Sequence, residues 1–287
     1  MATTPQRVVD AHIHLWDPAR EDWYPFLAGQ QDVGLGDVSG MARYFDASTY
    51  FAEAAEWNVE SFVHVGAAAR RFAVEETLER EAWADDTGNP AAIVGSMYNA
   101  DTVGEILAPV DAQATATRFR GVRALRFEHG VPPTDVLREL ADRSLVLDLM
   151  VHPEDLRPAA HVLEAFPQLT VVVEHTGWPT STDEDERERW RAGMAALASL
   201  GDNVVCKLSG LAMPLGAMSV DAFRPWIEHA ITLFGSDRAM FASNFPVDGL
   251  HGTFDQLYGV YAALTDALES ESRDQLFAGT AERVYRI

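Results

Sequence analysis

Two histidines one residue apart, His12 and His14, stand in "VVDAHIHLWDP" (8–18), behind Asp10 and inside an apolar run. On a strand, residues i and i+2 point to the same face, so this spacing brings two imidazoles together. Such a pair can hold a metal ion or hydrogen-bond a substrate oxygen. For an isolated pair the competing reading is structural, with the rings satisfying backbone groups only. Other residues that could join the chemistry lie at the ends of further apolar runs. His175 ends "LTVVVEHTG", His152 ends "SLVLDLMVH", His64 lies in "VESFVHVGA", and Asn244 lies in "AMFASNFPV" with Asp248 four residues on. Singly, His64 and His152 are more often structural histidines than ligands.

Three charged residues in such runs also matter. Arg123 and Arg126 in "FRGVRALRF" are three apart, so a regular strand cannot turn both inward. Arg123 is read as a clamp for a substrate carboxylate or carbonyl, and Arg126 as an outer-face ion pair. Lys207 in "NVVCKLSGL" is the one lysine of the chain, the other 21 basic residues being arginine. A bias that strong should have replaced it unless a compact ammonium is wanted, because the two cations differ at tight or anionic sites. Glu174 has the opposite strand parity to His175 and is expected to face the helices or the rim.

These residues need a scaffold that gathers strand ends. Eight apolar stretches, rich in Val, Ile, Leu and Phe on both faces, recur at 7–15, 59–67, 91–99, 119–127, 144–152, 169–177, 203–211 and 239–247. That pattern suits strands covered on both sides, as in a parallel sheet. Helix-like segments alternate with them, including "VEETLEREAWADD", "TDVLRELADR" and "DAFRPWIEHAITLFG". "STDEDERERWRAGMAALASL" reads as a helix whose acidic first turn complements its dipole. Eight strand–helix alternations predict an α/β fold, a (β/α)8 TIM barrel forming one domain over 1–287, with its chemistry at the C-terminal strand ends. The stretch 17–47 reads as a long loop over the barrel mouth, with Trp16, Trp23 and Tyr24 forming an apolar wall or lid. The tail "ESRDQLFAGTAERVYRI" reads as a closing helix packed on the outside.

Composition limits the partners. The chain has 287 residues, 47% of them hydrophobic, and a formal net charge of −22. An acidic body repels phosphate backbones and anionic membrane surfaces, which argues against nucleic-acid and membrane partners. No apolar run approaches the ~20 residues that span a bilayer. The segment "MATTPQR" has no apolar signal region, so a cytoplasmic location is expected. The lone Cys206, in an apolar run, is read as core. Oligomeric state is not legible, and a homo-oligomer is compatible with this sequence.

"DAHIHLWDP", "RGVRALRF", "VVVEHTGWP", "NVVCKLSGL" and "MFASNFPVD", taken together, resemble the amidohydrolase superfamily, and within it the lactonase-like branch. The match runs from the first strand to "LFAGTAERVYRI". The resemblance implies His12 and His14 as a first-strand pair and His175 as the sixth-strand histidine, all three as candidate metal ligands. It also matches Arg123 to a substrate-contacting arginine and Lys207 to the lysine of a "KLSG" motif. Some members of the branch need no tightly bound metal, whereas others have been thought to use a divalent ion.

The chain departs from the family's pattern at Asn244, where the superfamily ends its eighth strand with an aspartate. An amide cannot take a proton at neutral pH and is a poorer zinc ligand than a carboxylate. The family's acid beside the sixth-strand histidine is changed from aspartate to Glu174. The expectation is a hydrolase that opens a lactone or related cyclic ester or amide of a small carboxylated or sugar-acid substrate. Its metal, such as Zn2+, would be weakly held or absent. His12, His14, His175, Lys207 and Asn244 would be catalytic, with Lys207 and Arg123 binding a substrate carboxylate or stabilising the oxyanion and His175, His152 or Asp248 as base. Trp16, His64, Arg123, His152 and Asp248 would contact substrate. A decarboxylase or lyase, and a non-catalytic small-molecule binding protein on the same scaffold, are the alternatives.

Overall fold

The computed structural model describes residues 4–29 and 36–287. Eight parallel strands follow one another around a closed sheet in the order β1 to β8. They are β1 (Val8–Ile13), β2 (Val59–Val65), β3 (Ala92–Tyr98), β4 (Phe119–Leu125), β5 (Val146–Leu149), β6 (Val171–Val173), β7 (Val204–Leu208) and β8 (Ala239–Phe241). Helices lie between them, as the alternation predicts, so the fold is a TIM barrel. The sheet closes where the Asn244 N–H donates to the His12 carbonyl at 2.8 Å and the His14 N–H to that of Phe245 at 2.8 Å.

The strands are buried on both faces, which is why they read as continuous apolar runs. One face packs against the helices. The other fills the barrel with Val9, Ala11, Val63, Val65, Ala92, Val94, Val146, Val172, Val205, Met240 and Ala242. Several strands stop before their apolar runs do. Arg126, His175, Thr176 and Asn244, just beyond β4, β6 and β8, all have positive φ. A left-handed residue ends the two-residue alternation, so the side chains at these strand ends need not follow strand parity.

The helices Ala73–Thr87, Thr134–Asp142, Glu184–Ala198 and Val220–Phe234 form where apolar spacing places them. The helix Glu184–Ala198 carries Glu184, Asp185 and Glu186 in its first turn, so the 183–189 charge run is a helix start. No helix among the described residues is long and apolar enough to cross a membrane.

The closing segment differs from expectation. Ser270–Asp274, Gln275–Gly279 and Thr280–Tyr285 run across the N-terminal ends of the strands and do not lie on the outer surface. Arg7, just before β1, pairs with Asp274 at 2.8 Å and Glu282 at 2.5 Å. Ala278, Ala281, Val284 and Tyr285 join the interior cluster and form the barrel floor. Small residues at 278 and 281 let the segment sit close under the strands.

Candidate active site

A bulge in β1 sets the orientation of the histidine pair. Asp10 is opposite Phe62 and Ile13 is opposite His64, so β1 spans three steps where β2 spans two. The extra residue lets Val9 and Ala11 fill the barrel below while His12 and His14 face inward above. Buried Asp10 holds the bulge. Its Oδ1 accepts the His12 N–H at 3.2 Å and the Ser243 N–H at 2.8 Å, and its Oδ2 accepts the Tyr50 hydroxyl at 2.8 Å.

A buried ladder of charge rises from the floor. The Tyr285 hydroxyl lies 2.9 and 3.1 Å from the two Asp148 carboxylate oxygens. Asp148 pairs with the Lys207 ammonium, which lies 5.1 Å from the Tyr285 ring centroid. Lys207 Nζ is 3.5 Å from His12 Nδ1, and Glu174 Oε1 is 3.3 Å from the same nitrogen. Glu174 Oε2 meets Arg123 Nε at 2.9 Å. His12, Asp148, Glu174 and Lys207 are all fully buried. Burial raises the Glu174 carboxyl, while Arg123 and then Lys207 pull it back down.

Glu174 corrects the parity argument. Val172 faces into the barrel, so Glu174, two residues on, faces in as well. His175 then takes φ +51°, breaks the alternation and turns inward beside it. Gly210 of the "KLSG" stretch makes room for His175. At φ +69° it lies so close that an added Cβ would come within 2.6 Å of the imidazole's own Cβ.

Above the ladder lies an open cavity of about 1590 Å3, lined by His14, Trp16, Arg123, His175 and Asn244, with Phe26, Met41, Tyr98, Met150 and Trp178 around them. The rings of Trp16 and His14 stack at 5.8 Å. Trp16, with Phe26 and Met41 of the 17–47 loop, forms the apolar wall, and residues 30–35 lie outside the described residues. Trp23 and Tyr24 do not line the wall. Trp23 stacks on Phe72, and the Tyr24 hydroxyl donates to Glu76 at 3.0 Å.

The structure separates the sequence candidates into two sets. His12, His14, His175, Arg123, Lys207 and Asn244 come together, though His12 and Lys207 sit beneath the cavity wall. His64, His152 and Asp248 do not line the cavity. His64 is fully buried, and its Nδ1 accepts the Leu15 N–H at 3.2 Å. Half-buried His152 packs edge-on to Trp178 at 5.7 Å. Asp248 is fully buried behind Asn244, accepting its amide N–H at 3.0 Å. Burial lifts its carboxyl to about 7. Arg126 is not an outer-face ion pair, for its φ of +64° turns it onto the cavity wall. Sequence reasoning missed Asp148, Tyr285 and Trp178. The acid inside the apolar "LVLDLM" run was a usable signal for Asp148. No local signal marked Tyr285.

The imidazoles suit a divalent ion. His14 Nδ1 lies 2.7 Å from the Val65 carbonyl, which can only accept, so its N–H is there and Nε2 bears the lone pair. Lys207, which can only donate, is the hydrogen-bond partner of His12 Nδ1, so His12 carries its N–H on Nε2 and donates it to His14 Nε2 at 3.2 Å; an ion bound between the two would replace that proton. Two nitrogens bound to zinc at about 2.0–2.1 Å with tetrahedral angles would sit roughly 3.3–3.4 Å apart. The hydrogen bond from His14 Nδ1 to the Val65 carbonyl is of the kind that orients a metal-binding histidine. Ligand atoms of His12, Glu174 and His175 lie within 4.8 Å of one another. Burial holds His14 down at about 3 and His12 and His175 well below the ordinary imidazole value, so all three are neutral at pH 7. The ligand types and spacings therefore fit a zinc-like ion. Arg123 and Lys207 beside them disfavour a second positive centre and weaken its hold.

An amidohydrolase family model matches residues 9–287. An uncharacterized protein of Sinorhizobium fredii, y4mH, is 31% identical over 299 residues, covering 98% of each chain. An L-fucono-1,5-lactonase of Burkholderia multivorans is 25% identical over 309 residues, covering 97% of this chain and 96% of its own. A crystal structure of a Burkholderia multivorans amidohydrolase with bound zinc superimposes with a TM-score of 0.78 at 25% identity, over 98% of this chain and 99% of that one.

Proposed function

The chain belongs to the amidohydrolase family, and on that premise we propose that it hydrolyses a lactone or related cyclic ester of a small carboxylated or sugar-acid substrate. The observation that carries this reading is the convergence of His14, His175, Arg123 and Asn244 on one open cavity, above a buried layer that fixes each of them. The similarity to an L-fucono-1,5-lactonase along nearly the whole chain supports the substrate class.

In this reading the substrate ring lies against Trp16 and Phe26, with its ester carbonyl toward His14 and Arg123. The Glu174 carboxylate holds Arg123 at Nε, so the guanidinium is oriented before substrate arrives. Its remaining N–H groups stabilise negative charge as it develops on the carbonyl oxygen. Neutral His175 has Nδ1 3.1 Å from the Ser209 hydroxyl, and its Nε2 lone pair takes a proton from the attacking water. Glu174 Oε2, 3.9 Å away, stabilises the imidazolium. Asn244 orients that water. A divalent ion held by His12 and His14, which leaves His175 Nε2 free as the base, would supply Lewis acidity, polarising the carbonyl and lowering the pKa of water.

Lys207 takes a different role from the one its sequence context suggests. It is fully buried against Asp148 and His12, so it acts on the site from below and not as a substrate clamp. A panel of sugar-acid and unsaturated carboxylated lactones, assayed by acid release with and without added zinc, tests the reading. Turnover by the parent that falls at least ~100-fold in His14→Ala is expected. No lactone turned over faster than by the variant would refute it.

A further inference from the structure

Asn244 is held at both ends of its backbone. Its N–H donates to the His12 carbonyl at 2.8 Å, and its carbonyl accepts the Asp248 N–H at 3.1 Å. Its φ of +56° lies in the left-handed region, which asparagine tolerates better than most residues. Only the side-chain torsions remain free. One of them is set by the 3.0 Å hydrogen bond from the Asn244 amide nitrogen to Asp248 Oδ1. With Asp248 ionised, turning the amide over would bring its oxygen against the carboxylate, acceptor against acceptor, so the hydrogen bond locks the amide above about pH 7. With nitrogen directed at Asp248, the amide oxygen points away from it. Asn244 lines the cavity and Asp248 does not, so Asp248 can reach the reaction only through Asn244.

We propose that Asp248 is a positioning residue that locks the Asn244 amide so that its oxygen, and not its nitrogen, is shown to the cavity. The eighth-strand end then offers a hydrogen-bond acceptor that cannot take a proton. It selects a donor O–H, from water or from a substrate hydroxyl beside the scissile bond, and sets that group's orientation. Proton abstraction falls to another group. This arrangement also explains how the chain tolerates an amide where a carboxylate is the family pattern, since the atom presented is an acceptor in both cases.

The test is a double-mutant cycle with Asn244→Ala, Asp248→Ala and the pair, on the lactone that the parent turns over best. This arm rests on the hydrolytic reading. Asp248→Ala alone should lower kcat about 10-fold, and in the Asn244→Ala background it should cost nothing further. Asp248→Asn, whose own amide oxygen can still accept, should keep at least roughly a third of the parent rate. Equal losses in both backgrounds, or an Asp248→Asn as slow as Asp248→Ala, would overturn the proposal. A second arm needs neither activity nor the alanine variant at 248. In the parent, the Asn244 side-chain amide signals, assigned by their loss in Asn244→Ala, should exchange with solvent far more slowly than those of an exposed asparagine. Signals that exchange as fast as an exposed amide would show that the lock does not exist, whatever the substrate is.

Discussion

Replacing Lys207 with methionine removes the ammonium but keeps an unbranched chain of similar length. In the folded protein Lys207 and Asp148 are fully buried and paired, and without the ammonium Asp148 keeps the Tyr285 hydroxyl, 2.9 and 3.1 Å from its two oxygens, beside the Glu174 carboxyl that repels it. Glu174 retains Arg123 at 2.9 Å, so the deficit falls on Asp148. Removing one partner of a buried pair costs about 3–5 kcal/mol, because the survivor is an uncompensated charge in a poorly polarisable interior. At roughly 2–4 °C per kcal/mol for a large domain, Tm should fall by about 6–20 °C. Circular dichroism melts and urea titrations at pH 7.5 measure this directly. Asp148→Asn in the Lys207→Met background removes the stranded charge yet keeps an acceptor for Tyr285, so most of the loss should return. A Tm change under about 2 °C in the single variant would mean that the pair is not ionised in the folded state, and the reasoning would fail. Had Lys207 faced the substrate, the same substitution would instead spare stability and reduce turnover.

The remaining predictions concern the site above that pair. His12→Ala and His14→Ala should each lower kcat/KM by about 100-fold or more and release bound zinc, as read by elemental analysis after dialysis; near-parent turnover in both would make these histidines structural. Gly210→Ala should cost about 1–3 kcal/mol through overpacking on His175, at a left-handed φ, and should lower kcat as well; a parent-like melt would contradict the close approach. Asp248 has a folded pKa of about 7 against an unfolded value near 3.9, so its contribution to stability is full below about pH 4 and lost as pH rises through 7. Asp248→Asn removes that loss, so the unfolding free energy of the variant relative to the parent should rise between pH 4 and 7, by up to ~1.4 kcal/mol per pH unit, read from urea titrations. A pH-independent difference would refute the buried neutral acid. Asn244→Asp sets two carboxyls side by side where they must share a proton, so zinc retention should rise more in Asn244→Asp/Asp248→Asn than in Asn244→Asp alone.

Much of the architecture was legible in the chain because it rests on local pattern. Two-sided burial makes each strand a continuous apolar run, and alternation with helical spacing leaves a parallel barrel as the consistent solution. His12 and His14 share a face because the strand repeat is two, whatever surrounds them. What the sequence could not determine was the level at which each side chain sits. One extra residue in β1 and left-handed backbone after β4, β6 and β8 reset the parity that sequence reasoning assumes. Glu174 thereby joins the interior and Arg126 the cavity wall. Lys207 and Asp148 are 59 residues apart, and Tyr285 lies 137 residues beyond Asp148, so their stacking is a product of barrel closure. The division of polar residues between a buried supporting layer and an exposed cavity wall is likewise a tertiary property. It depends on depth along the barrel axis, and no spacing within a single strand encodes that depth.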